Sequence, residues 1–416
     1  EELDTDGEFY ISKDGVLYIY KTENFDTASV AVPLLKNDFF ALDKASNVTF
    51  DGFTIEAGKA SVFNGTTDYF TVQNCTIRDT FNVAYLNGTN ILITRNEIYN
   101  ITEKMIDVYG GDTMNLISSN NVISYNDIHD WDLVSTSYCG AINMGAVGGV
   151  VAHNKIHDSC FSAVCLGILG VAEYNEIYNV CMFVDDIGAV GAGGTMEFGG
   201  TIRYNYIHDI GKQSAIEFGT AAIYCDNCVN CVNAYGNIID NVAGKGFLIG
   251  GGRAFNIYGN VVMNCTLEGY NYDERGRSWE EERGIYHAYN RAMEFSKKPY
   301  CTAEAWISTF PWITTINYDP DQTDKDAFGY PGNPGNSVVK DNVYVMTLAE
   351  SKNYENRSEE DKQKFKYDIE PLVYKYSEVG PLTYIPTDKI KPTVEDAFAA
   401  GLPDFIDIPF DEIGIK

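Results

Sequence analysis

Basic residues are scarce in this chain. Thirty Lys and Arg stand against 59 Asp and Glu, for a formal net charge of −29 over 416 residues. Nucleic acid is excluded as a partner, since phosphates must be neutralised by cationic side chains. Polyanionic substrates such as pectate and alginate are disfavoured for the same reason, because a lyase-type site needs a basic residue beside the substrate carboxylate and no basic ladder is present. Long apolar runs are also missing. None reaches the ~18 residues of a membrane span, which argues against membrane insertion. Ten cysteines occur without the regular spacing of a disulfide framework. The opening "EELDTDGEFY" has no signal-peptide pattern. A signal removed earlier, or a start inside a longer protein, is expected, with a secreted, periplasmic or cell-surface location. An acidic surface with 13% aromatic residues suits a neutral glycan as substrate. The sequence does not specify an oligomeric state.

What is present is a repeat. "TIRYNYIHDI" (201–210) has counterparts in "ILITRNEIYNI" from Ile91, "VISYNDIHDW" from Val122, "VVAHNKIHDS" from Val150 and "VAEYNEIYNV" from Val171. Looser copies follow at Val232, Phe255 and Val338. One column reads Asn96, Asn126, Asn154, Asn175, Asn205, Asn237, Asn260 and Asn342, with Phe53 and Cys75 in the same frame upstream. Spacings up to Asn260 run from 21 to 32 residues, the signature of a solenoid. Each copy alternates apolar and polar residues, so it is a strand. One strand per short coil, stacked on the next, predicts an all-β, right-handed parallel β-helix, with handedness from the crossover rule. Stacked coils lie about 4.8 Å apart, so equivalent residues form ladders. The asparagines are expected to satisfy one another inside, and Ile98, Ile128, Ile156, Ile177 and Ile207 to fill the core. His129, His157 and His208 share one column with Tyr99 and Tyr178, which makes a structural ladder their simplest role. His208 remains a candidate site residue because it lies between two acidic motifs.

Residues 1–40 contain "GEFYISKDGVLYIYKT", which predicts a hairpin around Lys13-Asp14-Gly15 that packs on or caps the first coils. Coils run over 41–270. Residues 271–335 interrupt the repeat with "DERGRSWEEERGIYHAYNRAMEF", which has helical spacing, and a Trp/Pro-rich stretch. Such insertions build groove walls. A final coil is expected in 336–349, and 350–416 reads as an acidic, lysine-rich tail with a helix at 359–366.

Glycines align a second strand in each coil: "GAINMG" (140–145), "SAVCLG" (162–167), "GAVGAG" (188–193), "AAIYCD" (221–226) and "GFLIGG" (246–251). The last column reads Gly145, Gly167, Gly193, Asp226 and Gly251. Glycines there permit tight turns and close approach of a ligand. The lone Asp226 either projects into the resulting groove or closes an Asx-turn. "FVDDIGAV" places Asp185 and Asp186 at the start of one copy. They form a solvated pair or, if buried, a pair in which one pKa is raised, as a general acid requires. Glycoside hydrolysis needs two carboxyl groups about 5–5.5 Å apart for retention, or roughly 6.5–9.5 Å for inversion. The alignment puts Asp186 and Asp226 about seven residues out of step, roughly 23 Å on straight strands, so only a bend joins them. Glu217, nearly in register with Asp185 and Asp186, is the alternative partner. Tyr224 faces the same groove. Arg253 supplies a fixed donor for sugar hydroxyls or a carboxylate, and Asp273, Arg275 and Trp279 complete a wall with a stacking aromatic. Cys225, Cys228 and Cys231 in "CDNCVNC" read as a metal or iron–sulfur site, or as small apolar fillers. No fourth ligand is evident, so no metal or other cofactor is expected, apart from the alternative of calcium at Asp185 and Asp186.

These motifs, in order, resemble those of bacterial right-handed parallel β-helix proteins that include family 141 of the glycoside hydrolases, with the family 120 β-xylosidases more distant. "GEFYISKDGVLYIY" is similar to the group's opening segment, "VDDIGAV" to its Asp-x-Gly-Ala motif and "AIYCDN" to its Ile-Tyr-x-Asp-Asp motif. "GGGRAFNIYGNVVMNC", "DERGRSW", "YPGNPGNSVVKDNVYV" and "PFDEIGI" follow in sequence. The resemblance spans nearly the whole chain. It implies a glycosidase acting on fucose- or xylose-containing glycans, with Asp186 and Asp226 catalytic. Two departures stand out: Asn227 replaces the second Asp of the Asp-Asp motif, which implies impaired catalysis if that position carries it, and Gly191 replaces a usual tyrosine. The competing readings are a polysaccharide lyase or epimerase, and a non-catalytic carbohydrate-binding β-helix.

Overall fold

The computed structural model describes residues 3–5, 8–20, 32–192, 198–212, 219–276, 303–317, 324, 326–330, 332–404 and 406–415. The chain divides into two units, Glu1–Leu34 and Leu35–Lys416. In the first, Phe9–Ile11 pairs antiparallel with Leu17–Ile19, and Gly15 turns the chain at φ 79°.

The second unit is a parallel β-helix. Each regular coil contributes three short strands, and each strand pairs in parallel with its counterparts one coil below and one coil above. In one coil these are Val122–Ser124, Asp127–Trp131 and Ile142–Met144. They belong to the first, second and third sheets respectively. The isoleucines of the repeat stack in register, and all five are fully buried.

The corner between the first and second strands explains the asparagine column. In each coil the residue before the asparagine is left-handed: Arg95, Tyr125, His153, Tyr174 and Tyr204 have φ of 54° to 57°. That conformation costs a non-glycine residue about 1–2 kcal/mol. The following asparagine holds the bend. Asn175 Nδ2 donates to the Val151 carbonyl at 2.9 Å and to Asn205 Oδ1 at 2.9 Å, while its own Oδ1 accepts from the Asn154 backbone N–H and Nδ2, both at 3.0 Å. The same pattern runs from Asn96 to Asn342, and the asparagines from Asn126 upward have no solvent exposure.

Two regions depart from expectation. Residues 350–416 are more than a tail: Tyr367–Ile369 completes the coil of Asn342 as its third strand, and Glu378–Val379 and Thr383–Pro386 add two strands of a further coil above it. Leu382 precedes the strand where the column would carry asparagine, which hid this coil from the repeat. The expected helix is present at Glu359–Lys364, capped by Ser358. In the insertion, helix Glu304–Thr309 and turn Pro311–Thr315 seat Trp306, Phe310, Trp312 and Ile313 on Phe198 and on corner residues such as Leu169. The helical spacing after Arg275 falls mostly on 277–302, outside the described residues. No helix among the described residues is long and apolar enough to cross a membrane.

Candidate functional site

The third sheet carries a cleft of about 340 Å³ on its outer face. Register explains its floor. Asp107, Asn143, Cys165, Gly191 and Tyr224 stand one above another in successive coils. Cys165 and Gly191 are small, so the floor drops between Asn143 and Tyr224. Tyr224 then rises at one end. A Cβ on Gly188 would lie 2.2 Å from the Tyr224 Cβ, so only glycine leaves room for this tyrosine.

Tyr224 joins the two interruptions of the repeat. Its hydroxyl lies 2.8 Å from Asp186 Oδ1 and 3.2 Å from Asp226 Oδ2. The two carboxylate oxygens are therefore at most about 6 Å apart. The straight-strand separation of roughly 23 Å does not apply. Tyr224 pairs through its backbone with Gly191, yet its side chain lies over Gly188, so the sheet is concave here. Asp186 enters from a left-handed corner at φ 57°. Asp226 follows the last residue of its strand, Cys225, and comes just before two successive left-handed residues, Asn227 and Cys228.

The hydroxyl has one hydrogen and two carboxyl neighbours. Burial, with Asp226 and Asp186 adding to it, pushes the Tyr224 pKa far up, so it stays a protonated donor. Burial also raises the Asp226 carboxyl above its ordinary value; Arg275, the Asn227 amide and Tyr224 pull the other way, and Asp186 adds to the rise. Arg275 touches Asp226 Oδ1, and its Nε and Nη2 grip Asp273 at 2.6 to 3.0 Å. Arg275 thus serves two carboxyl groups, Asp226 and Asp273, while Asp186 meets Asp226 only through the Tyr224 hydroxyl, and carboxyl groups crowded this way favour retention of one proton. Gly250 makes this bridge fit. It is the partner of Asp273, and a Cβ there would lie 2.4 Å from Asp226 Oδ1. The pairing Cys225↔Ile249 corrects the aligned column by one residue: Gly250, not Gly251, stands above Asp226.

The remaining candidates are dispersed. Arg253 is buried at 1% exposure and donates to the Tyr330 carbonyl at 2.9 Å and to that of Phe328, so it fastens the insertion rather than facing the cleft. Asp185 neighbours Asp186 but is not among the cleft's lining residues. Glu217, Trp279 and Gly193 lie outside the described residues. His208 belongs to the second sheet, in a column of rings from Tyr99 through His129, His157 and Tyr178, spaced 4.7 to 5.1 Å. Its Nδ1 is 2.7 Å from Asp209 Oδ2, as His129 and His157 are from Asp130 and Asp158. Each of those aspartates is left-handed, a conformation that Asp tolerates better than most residues.

Sequence reasoning missed the rest of the cleft: Lys104, Asp107, Tyr138, Asn143 and Phe161. The available signal for the floor was the fourth column of the glycine-aligned strand, which reads Asn143, Cys165, Gly191 and Tyr224; Lys104, Tyr138 and Phe161 precede that strand and carried no repeat signal. Cys225, Cys228 and Cys231 are mostly buried, and Trp312 Nε1 donates to Cys231 Sγ at 3.0 Å. Among the described residues no group of three or more His, Cys, Asp and Glu is placed to hold a metal ion. Comparison with known proteins finds no matching family model, curated protein or solved structure.

Proposed function

We propose that the protein is a glycoside hydrolase acting on a neutral, fucose- or xylose-containing glycan, with Asp186 and Asp226 as its carboxyl pair and with net retention of anomeric configuration. The carrying observation is the Tyr224 hydroxyl between the two carboxylates, which holds them closer than the ~6.5–9.5 Å an inverting pair leaves for water. Asp226, half-buried and raised in pKa, gives its proton to the glycosidic oxygen. Asp186, exposed on the rim, attacks the anomeric carbon as the C–O bond breaks. Asp226 then takes a proton from water, which attacks the same carbon and releases Asp186. Tyr224 orients both groups throughout, and Asp273 with Arg275 fixes the far side of Asp226.

The test is a panel of aryl fucosides and xylosides, followed by small-nucleophile rescue on the substrate that turns over. Azide should restore turnover to Asp226→Ala with a retained glycosyl azide and to Asp186→Ala with an inverted one. Wild-type inactivity over a broad aryl glycoside panel, or full activity in both alanine variants, would overturn the reading.

A further inference from the structure

We infer that the cleft takes its substrate as a neutral oligosaccharide lying along the solenoid axis, with the sugars next to the reacting unit seated against Phe161 and Tyr138. This rests on the glycosidase reading above. Phe161 and Tyr138 occupy the turns leading into the third strands of the two coils below the coil of Asp186, so all three stand on one rim. Both rings line the same cleft as Asp186, Tyr224 and Asp226. They pair at 5.9 Å, and Tyr138 remains 86% exposed. A tyrosine that exposed contributes little to the core, whereas its apolar face matches the C–H face of a pyranose.

The floor beside this rim suits sugar hydroxyls. Asn143 Nδ2 donates to Tyr109 Oη at 2.9 Å, which fixes its amide at the surface of the cleft. Asp107 offers an acceptor one coil below. On the opposite side, a Cβ on Gly145 would lie 2.6 Å from the Tyr109 ring, so glycine lets that ring lie against the coil and meet Asn143. The direction follows from what lies above. No described lining residue is later in the chain than Asn227, and over Gly250 the Arg275–Asp273 bridge occupies the space. Sugars therefore extend toward Asn143 and Asp107. Each coil advances about 4.8 Å, close to one sugar unit, so the rungs from Tyr224 down to Asp107 offer room for about three or four. Charge selects among polymers. Among the described lining residues, Asp107, Asp186 and Asp226 stand against Lys104, so a chain of uronic acids is repelled.

The experiment uses the full chain carrying Asp226→Asn, so that ligand persists. Calorimetric titration runs with xylo-, fucosyl-, gluco- and galacto-oligosaccharides of one to six units. Affinity should rise with length to about three or four units and then level off. Adding Tyr138→Ala should weaken binding of the longer members about tenfold, a usual worth for one aromatic face. Phe161→Ala should weaken it likewise, with melting curves confirming the fold. Affinity independent of length, affinity unchanged by both substitutions, or no binding across the panel would each overturn the inference. Tyr138-dependent binding in a protein that hydrolyses no aryl glycoside would leave the cleft standing and remove the catalytic reading alone.

Discussion

Two outward columns run up this solenoid on opposite plans. On the second sheet, Tyr99, His129, His157, Tyr178 and His208 repeat ring upon ring, each histidine bonded to the aspartate that follows it. On the third, Asp107, Asn143, Cys165, Gly191 and Tyr224 share nothing but position. A residue that recurs every coil is satisfied by its own copies about 4.8 Å away, and its chemistry is spent on the fold. A residue that changes at each coil has no copy to lean on and faces whatever enters the cleft. Tyrosine occurs in both columns and aspartate in or beside each, so residue type alone does not mark the site. The broken repetition does.

The largest expected effect comes from the cleft that the irregular column floors. Asp186→Asn should lower kcat/KM by about 10²–10⁴-fold, because it removes charge but not shape. Its melting temperature should stay near wild type, since Asp186 is exposed. Tyr224→Phe is milder, at about tenfold in rate. The hydroxyl lowers the Asp226 pKa, so its loss lets that pKa rise and moves the alkaline limb of the pH–rate profile to higher pH. An unmoved profile would make the hydroxyl a spectator.

In the regular part of the molecule the effects are on stability. Asn175→Leu leaves the Val151 carbonyl and the Asn154 donors without their Asn175 partner and takes one of two hydrogen bonds from Asn205 Oδ1, and should cost about 1–3 kcal/mol in a denaturant melt. A smaller effect tests the ring stack. Burial opposes protonation of His157, but Asp127 and Asp158 raise its pKa above the ordinary value. Its contribution is then complete below about pH 6.5 and is lost as pH rises through the raised folded pKa. Melting temperature should fall over that range, and His157→Gln should flatten the fall without touching turnover.

The fold was legible because its rules repeat. Asn154 and Ile156 recur at fixed places in every regular coil, and one register accounts for both. The added strands at 378–386 were not legible, since Leu382 stands in for the asparagine and the two strands are only two and four residues long. Asp186 and Asp226 stood out as interruptions, but their meeting did not, because straight-strand arithmetic ignores a concave sheet and a tyrosine long enough to bridge it. Arg253 misled for a related reason. A fixed cation looks like a substrate clamp in sequence, and only the carbonyls of Phe328 and Tyr330 reveal it as a fastening for the insertion.

The central claim is that the two columns differ in kind, and two isosteric substitutions made side by side test it. Asp226→Asn and Asp209→Asn each replace the carboxyl group of a partly buried aspartate with an amide of the same shape. Both proteins should melt close to wild type, and turnover of the most reactive aryl glycoside should be read under the same conditions. The prediction is a loss of about 10²–10⁴-fold for Asp226→Asn and a near wild-type rate for Asp209→Asn. Equal rates in the two variants, whether both high or both low, would contradict it.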